Sequence, residues 1–395
     1  MHSLLGAILI GSIFLGACNR ASVETRQPAT RASIALRVGR VLDPITGRYS
    51  EPTTILVTQG RIAGMLPSDR YRTDMADSTL DLRELTVLPG FIDAHVHLAI
   101  GNGVAASALA DLRAGFTTIV DLGSRTTRLL QLRDSINAGF LPGPRVLAAG
   151  VWVGVKGGVC EFNGIGISGG VDEFRARIRA NAQAGAEVAK LCISGWPADA
   201  FANPAKYEMS DDVIKASVAE AHAAKQIAVA HDISLGGVRA ALDAGIDGLA
   251  HTAYVDAPTA GRMREAHVFM ISTLASLTAN DTSAASRALF GAVDLAHRAG
   301  VSIVFGTDGG VLPHGRNAEE FSALVRAGLS PLEAIRAATV SAATAFRLQD
   351  SVGTVRNGMV ADLVAVRRDP LLDVQTLSRP VFVMSRGKVV LAPER

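Results

Sequence analysis

The chain has 395 residues, of which 48% are hydrophobic and 19% are charged, and its formal net charge is +2. This composition supports a sizeable core and excludes a chain that is disordered throughout. A nearly neutral charge without a run of Lys or Arg argues against a nucleic-acid partner. Three cysteines are too few to build a disulfide framework.

The chain opens with an apolar run from Leu4 to Ala17. Because a membrane-spanning helix needs roughly 20 residues, this run is typical of a secretory signal, and residues 1–17 are predicted to be a signal peptide. The ending Leu-Gly-Ala-Cys resembles a bacterial lipobox, which implies lipidation of Cys18. Residues 18–32 would then tether the protein to a membrane surface, as an outer-membrane lipoprotein or in the periplasm. A plain secretory signal is the alternative.

Short β-branched runs occur near both ends of the chain and are separated by turn residues. They lie at residues 34–38, 54–57, 362–366, 381–384 and 388–391. Because similar strands flank a long middle segment, we predict one small β-sandwich domain assembled from both chain ends, residues 33–88 and 347–395.

Residues 89–346 alternate short apolar strands with amphipathic helices. Strands are predicted at residues 91–95, 117–121, 145–149, 187–192, 227–230, 247–250, 268–272 and 301–305. This alternation predicts an α/β fold, namely a (β/α)8 TIM-like barrel. A doubly wound open sheet is the alternative, but no Gly-rich dinucleotide fingerprint follows the first strand.

Potential metal ligands stand at the predicted carboxyl ends of five strands, where the active site of such a barrel lies. They are His95 and His97 on the first strand, Lys190 on the fourth, His231 on the fifth, His251 on the sixth and Asp308 on the eighth. Neutral imidazoles combined with a carboxylate suit Zn²⁺ and similar ions. The pattern therefore predicts one metal centre at the barrel mouth.

The motifs that contain these ligands resemble those of the amidohydrolase superfamily. They are Pro-Gly-Phe-Ile-Asp-Ala-His-Val-His at 89–97, Ala-Glu-Val-Ala-Lys at 186–190, His231, Gly-Leu-Ala-His at 248–251 and Gly-Thr-Asp-Gly-Gly at 306–310. Within the superfamily the chain is similar to imidazolonepropionase-related proteins, prolidase-like Xaa-Pro and Xaa-Arg dipeptidases, and ochratoxin-type amidases. The resemblance implies metal-dependent hydrolysis of a C–N amide bond in a dipeptide or N-acyl amino acid.

The resemblance also implies two divalent ions, with zinc as the expected element. His95, His97 and Asp308 would hold one ion, His231 and His251 the other, and a carboxylated Lys190 would bridge them. A bridging hydroxide would attack the carbonyl, with Asp308 as the proton shuttle and His251 as a second catalytic residue. A buried lysine has a depressed pKa, so its neutral amine can react with CO₂.

Three alternatives stay open beside this interpretation. Lys190 could be an ordinary salt-bridged lysine. The enzyme could be a mononuclear, imidazolonepropionase-like hydrolase of cyclic amides. The chain could also be a non-catalytic surface lipoprotein that uses the barrel for binding.

Aromatic residues and one histidine fall in the loops that follow the predicted strands, where they could contact substrate. These predicted substrate contacts are Trp152, Trp196, Tyr207, Tyr254 and His314. The alternative is that these residues pack within a lid over the site and do not contact the substrate. Relatives often carry a Gly-His-Gly element after strand three, and residues 157–164 have no histidine, so the substrate preference is left open.

Cys192 lies two residues beyond Lys190, and Cys160 lies in the preceding loop. In an oxidising compartment the two could pair, or both could be free thiols. The sequence also leaves a homo-oligomer open.

Overall fold

The computed structural model describes residues 31–100, 103–195, 197–278 and 283–394. The predicted signal peptide, Cys18 and all but the end of the tether lie outside the described residues, as does Trp196. Within the described ranges, no helix has the length and apolar character needed to cross a membrane.

The strands of the described residues are short except near the amino terminus. In chain order they are β1 (Ala32–Val41), β2 (Thr53–Thr58), β3 (Arg61–Pro67), β4 (Ala76–Pro89), β5 (Phe91–Val96), β6 (Phe116–Asp121), β7 (Arg145–Ala148), β8 (Val153–Gly154), β9 (Val188–Cys192), β10 (Ile227–His231), β11 (Gly248–Ala250), β12 (Phe269–Ile271), β13 (Ile303–Val304), β14 (Leu363–Val366), β15 (Phe382–Ser385) and β16 (Lys388–Leu391).

Helices fill most of the connections between β5 and β14. They are α1 (Val104–Arg113), α2 (Arg128–Asn137), α3 (Val171–Gln183), α4 (Pro197–Ala202), α5 (Asp211–Ala223), α6 (Leu235–Asp243), α7 (Ala257–Glu265), α8 (Leu274–Thr278), α9 (Ala284–Arg298), α10 (Glu319–Arg326), α11 (Pro331–Arg336) and α12 (Ala342–Ala345), with a π-helical turn at Ala337–Ser341. Short 3₁₀ turns lie at Ser68–Arg70, Thr73–Met75 and Val374–Ser378.

Helix α11 begins with a capping box at Ser330. The Ser330 side chain accepts from the Glu333 backbone N–H while the Glu333 carboxylate accepts from the Ser330 N–H, and Pro331 occupies the first helical position. This reciprocal capping satisfies two backbone donors that a helix otherwise leaves unpaired.

Strands from both chain ends form one seven-stranded sheet in the order β16-β15-β14-β4-β1-β2-β3. A sheet built from both chain ends was expected. A β-sandwich, however, consists of two separate sheets, whereas these seven strands form one continuously hydrogen-bonded sheet. The reason is β4, which pairs with β1 from Ala76 to Val87 and with β14 from Thr86 to Pro89. One strand of 14 residues therefore joins the two sets of strands that a sandwich would separate.

The strands between β5 and β13 run parallel and form two hydrogen-bonded sheets. Their orders are β5-β6-β7 and β13-β12-β11-β10-β9-β8. Backbone hydrogen bonds connect the two sheets at both margins. Ala94 N–H donates to the Phe305 carbonyl at 2.9 Å at one margin, and Glu187 N–H donates to the Ala148 carbonyl at 3.1 Å at the other. The middle of the chain is therefore an α/β structure with parallel strands. Eight of them lie at the positions predicted from the sequence, and β8 was not predicted.

Two apolar clusters stabilise this middle part. One contains side chains from β5, β6, β7 and β9 to β13 and is covered by Ala342, Ala343 and Phe346. The larger one packs the helices against the outer side chains of the same strands. Since successive residues of a strand point to opposite faces, each strand contributes to both clusters. These two-sided contacts hold the carboxyl ends of the parallel strands in fixed relative positions.

Candidate active site

The six predicted metal ligands lie around one cavity of about 210 Å³. We call it the ligand cavity. His95 is on β5, Lys190 on β9 and His231 at the end of β10, while the other three residues follow strand ends. The six are His95, His97, Lys190, His231, His251 and Asp308.

The ligand atoms are close enough for shared coordination. Nε2 of His97 lies 3.2 Å from Oδ1 of Asp308, and Nε2 of His95 lies 3.5 Å from the same oxygen. Ligand atoms of His95, His251 and Asp308 all lie within 4.8 Å of one another. The rings of His231 and His251 have centroids 4.7 Å apart. The arrangement thus forms a continuous set of nitrogen and oxygen donors.

Three buried nitrogen atoms in this set have no hydrogen-bond partner within the described part of the chain. They are Nδ1 of His95, Nζ of Lys190 and Nε2 of His231. A buried polar atom without a partner costs about 1–3 kcal/mol. Buried, unpartnered nitrogen atoms on residues that line one cavity are what a cation site requires, so these residues fit the metal centre that the sequence predicts.

Burial sets the protonation of these groups. It lowers the pKa of Lys190 to about 7, from a usual value of 10.5, and lowers the pKa of His251 to about 4. Burial also opposes ionisation of Asp308, but the His97 hydrogen bond and the charges of neighbouring His251 and Lys190 hold its pKa below the usual range. Burial therefore favours the neutral forms of Lys190 and His251, while Asp308 is held as a carboxylate.

Neighbouring groups orient three of the histidines. Nδ1 of His97 lies 3.0 Å from the Gly123 carbonyl, and Nδ1 of His251 lies 2.9 Å from Oγ1 of Thr273. A backbone hydrogen bond to Gly195 holds His231. Each contact occupies one side of a ring and fixes which nitrogen faces the cavity, as outer contacts do in metal sites.

The backbone is left-handed at three positions around the cavity. φ is +64° at His251, +49° at Thr273 and +56° at Asp308. Non-glycine residues rarely adopt such angles, and a β-branched residue such as Thr273 least of all. Backbone strain of this kind costs of order 1–3 kcal/mol per residue and concentrates at functional sites. Here it lies at the ends of β11, β12 and β13.

Asp93 fastens the end of β13 to β5 and was not predicted as a site residue. Its carboxylate accepts from Thr307 Oγ1 at 2.6 Å, from Asn317 Nδ2 at 2.8 Å and from the backbone N–H groups of Thr307 and His95, each at 3.1 Å. Asp93 therefore positions the segments that carry His95 and Asp308. Its place two residues before His95, within the motif at 89–97, was the only sequence signal.

One wall of the ligand cavity is apolar. It consists of Ile100, Trp152, Val159, Cys160, Phe162, Ile233 and Val311. Cys160 and Cys192 form a disulfide, so the loop after β8 is joined covalently to the strand that carries Lys190. Trp152 packs on Phe162 with ring centroids 4.9 Å apart and donates from Nε1 to the Leu122 carbonyl at 2.9 Å. The wall is thus preformed and anchored on two sides.

The predicted substrate contacts separate into two groups. Trp152 lines the ligand cavity, whereas Tyr207, Tyr254 and His314 do not. The Tyr207 hydroxyl donates to Asp211 at 2.6 Å, and His314 lies 2.8 Å from the Asp111 carboxylate with its other nitrogen 3.4 Å from the His97 carbonyl. His314 is therefore behind His97 and supports that segment from outside the cavity. Ile100, Ile233 and Val311 were missed as wall residues because no periodic pattern marks loop positions.

The model of the amidohydrolase family matches residues 86–390. Ochratoxinase from Aspergillus niger is 27% identical over 369 residues, which span 78% of this chain and 76% of that protein. Among solved structures, a Xaa-Pro dipeptidase with bound methionine in the active site gives a TM-score of 0.83 at 25% identity, over 90% of this chain and 99% of the other. A prolidase complexed with N-methylphosphonate-L-proline gives a TM-score of 0.79 at 26% identity, over 91% and 99% of the two chains.

These matches span both the terminal sheet and the parallel strands that surround the ligand cavity. They also agree with the branch that the sequence motifs indicate. The chain belongs to the amidohydrolase family, in the branch of ochratoxinase and the prolidase-like dipeptidases, and it is a hydrolase.

Proposed function

We propose that this hydrolase uses divalent metal ions to cleave the C–N amide bond of a dipeptide or an N-acyl amino acid. The observation that carries the proposal is the ligand cavity itself, where six donor residues converge and three buried nitrogens lack partners. The names of the similar proteins, an ochratoxinase and prolidases, support amide hydrolysis as the reaction class.

The donor set fits two ions. As the family motifs imply, His95, His97 and Asp308 would hold one and His231 and His251 the other. The ring of His251 lies 4.6 Å from that of His95 and 4.7 Å from that of His231, so the two groups adjoin. Divalent ions in such a site supply an activated water at neutral pH and polarise the substrate carbonyl. Zinc is the element we propose, because neutral imidazoles dominate the set.

Lys190 supports the binuclear form of the proposal. Its amine is buried, has no partner within the described residues and has a pKa near 7. A neutral amine can add CO₂ to give a carbamate, which supplies an anionic oxygen ligand between the two histidine groups. An ordinary salt-bridged lysine would have a carboxylate partner here, and the described residues provide none within ion-pair distance.

Asp308 is the carboxylate among the residues that line the cavity. It is held in its ionised form, with Oδ1 facing His95 and His97. An ionised carboxylate at this position can accept a proton from the attacking water and transfer it to the leaving nitrogen. His251 lies beside it and would assist in orienting that exchange.

We also propose that the parallel strands close into a (β/α)8 barrel. Two features support closure: the hydrogen bonds that connect the two parallel sheets at both margins, and the single apolar cluster shared by eight strands. In such a barrel the six donors stand together at the carboxyl ends of the strands, where loops can vary the substrate.

Export with lipid anchoring at Cys18 is the proposed location. The Cys160–Cys192 disulfide supports export, since disulfides persist in oxidising compartments and are rare in the cytosol. Replacing Cys18 by Ser should release the protein from membranes, and retention in the membrane fraction would contradict an anchor at this residue.

The test of the function combines metal content with turnover. The purified protein is loaded with zinc in the presence of bicarbonate, its metal content per chain is measured by elemental analysis, and a panel of dipeptides and N-acyl amino acids is assayed. We expect two ions per chain and hydrolysis of amides. One ion with activity on a cyclic imidazolone would instead indicate the mononuclear enzyme. Full metal loading without hydrolysis of any amide would instead indicate a non-catalytic lipoprotein that uses the barrel for binding.

A further inference from the structure

A second cavity adjoins the ligand cavity and shares three wall residues with it. This cavity, of about 410 Å³, is lined by Ile100, Trp152 and Phe162, which also line the ligand cavity. Its remaining walls come from the loop after β6 and from helices α1 and α2. A substrate group that extends from the ligand cavity past the Trp152 and Phe162 side chains therefore enters the second cavity.

Two arginines line the second cavity, which we call the arginine pocket. They are Arg125, in the loop after β6, and Arg128, at the start of α2. No acidic residue of the described chain lines this pocket, and neither arginine forms an ion pair with a described residue. By contrast, Arg133 on the same helix pairs with Asp134 and Glu187. The pocket thus presents cationic groups without an anionic partner among the described residues.

The position of Arg125 relative to the ligands is set by a row of aromatic contacts. Its guanidinium lies 5.8 Å from the Phe162 ring centroid, Phe162 lies 4.9 Å from Trp152, and Trp152 lies 5.5 Å from the ring of His97. Two aromatic rings therefore separate the guanidinium from a predicted metal ligand. The cation–π contact also holds the guanidinium against the wall that both cavities share.

We infer that the arginine pocket is a subsite for a carboxylate at the end of an apolar arm of the substrate. This inference rests on the proposed amide hydrolysis and narrows its substrate class. Arginine presents a planar pair of donors that matches a carboxylate. The apolar wall would accept the arm, and the arginines would accept its charged end.

The separation excludes the carboxylate of a simple dipeptide from this subsite. In a dipeptide, only one nitrogen and one Cα separate that carboxylate from the scissile carbonyl. The ring centroids of His97 and Trp152 are 5.5 Å apart and those of Trp152 and Phe162 are 4.9 Å apart, so an arm that follows both rings covers about 10 Å. An extended chain spans about 3.3–3.6 Å per residue, so such an arm takes roughly three residues or a group the size of biphenyl. The preferred substrate is therefore an amide longer than a dipeptide, with an anionic group distant from the scissile bond.

The test measures binding to the zinc-loaded protein by calorimetry, with biphenyl-4-carboxylate and biphenyl-4-carboxamide as matched probes. We expect the carboxylate to bind about fivefold more tightly, a modest factor because both arginines are exposed to solvent. Arg125→Ala and Arg128→Ala should each reduce this ratio. Arg113→Ala, which removes an exposed arginine at the end of α1, should leave it unchanged.

Two results would overturn the subsite. The first is equal affinity of the wild-type protein for both probes, or no binding of either. The second is a carboxylate preference that survives in Arg125→Ala and Arg128→Ala, since the carboxylate would then bind in the ligand cavity. Because no turnover is measured, the outcome is independent of whether the protein hydrolyses amides.

Discussion

Oγ1 of Thr273 lies 2.9 Å from Nδ1 of His251, and both residues have a left-handed backbone. The two residues follow neighbouring parallel strands, β11 and β12, so this contact joins the ends of both strands. It leaves Nε2 of His251 to face the cavity. The left-handed backbone at both positions thus accompanies a contact that orients the imidazole of His251.

Thr273→Val should weaken metal binding about 10- to 100-fold while preserving the shape of the side chain, because the group that orients His251 is lost. Thr273→Ser, which keeps the hydroxyl, is the matched control. The readout is the zinc dissociation constant measured by competition with a chelator. Equal affinity of the Val and Ser variants would show that the hydroxyl does not orient the ligand.

Lys190→Ala should lower the metal content from two ions towards one and strongly reduce activity, because the proposed bridge between the ions is removed. Small carboxylic acids should restore part of the activity by supplying the missing oxygen ligand. Lys215→Ala, an exposed change on α5, is the control. Unchanged metal content in Lys190→Ala would end the carbamate proposal.

Asp308→Asn should reduce kcat by about 10²- to 10⁴-fold, because an amide cannot accept the proton of the attacking water. Circular dichroism and thermal unfolding show whether the fold is retained, and Asp350→Asn provides an exposed control. A folded Asp308→Asn variant with nearly normal turnover would remove Asp308 from proton transfer.

Replacing Cys160 and Cys192 by Ala should lower the free energy of unfolding by about 2–5 kcal/mol, the usual effect of removing a native disulfide. The loop after β8 also carries Phe162 and Val159 of the cavity wall, so KM should rise more than kcat falls. Reduction of the wild-type protein with a thiol should reproduce both effects. A variant with an unchanged KM would show that the wall stays in place without the disulfide.

We expect the buried Glu320, which does not line the ligand cavity, to make the stability of the fold depend on pH. Burial raises its pKa to about 8, from a usual value of 4.5, although it accepts from the backbone N–H groups of Leu274 and Ala275. The folded state therefore retains a proton that the unfolded chain releases, and this contribution to stability is lost as pH rises from 4.5 through 8. Glu320→Gln should flatten this part of the curve, as measured by urea unfolding at several pH values. An identical slope in both proteins would contradict the assignment.

The sequence was informative where local chemistry and strand position coincide. Each predicted ligand lies on a short apolar strand or shortly after one, so the alternation of strands and helices was enough to bring His95 and Asp308 together. Short apolar runs marked eight of the parallel strands within one or two residues of their positions, whereas β8 was not predicted. The ligand motifs and the alternation of strands and helices thus predicted the same site, at the carboxyl ends of the parallel strands.

The remaining parts depend on contacts that no local pattern encodes. Asp93 and Asn317 are hydrogen-bonded across 224 residues of sequence, and His314 reaches Asp111 across 203. Loop aromatics carry no periodicity, so Trp152 could not be distinguished from Tyr207 before the loops were placed. The single terminal sheet was missed because the length of β4 is a tertiary outcome of pairing on both sides.

The central position of β4 in the terminal sheet has a consequence for biogenesis. One of its edges is completed by β14, and Gly90, just before the strand that carries His95, donates its N–H to the Asp362 carbonyl. During synthesis, β4 leaves the ribosome long before its partner exists. Until translation ends, an unpaired edge is exposed to other chains, which invites aggregation. Completion of the hydrolase therefore waits for the last strands, and a nascent chain must be kept apart from its neighbours until they arrive.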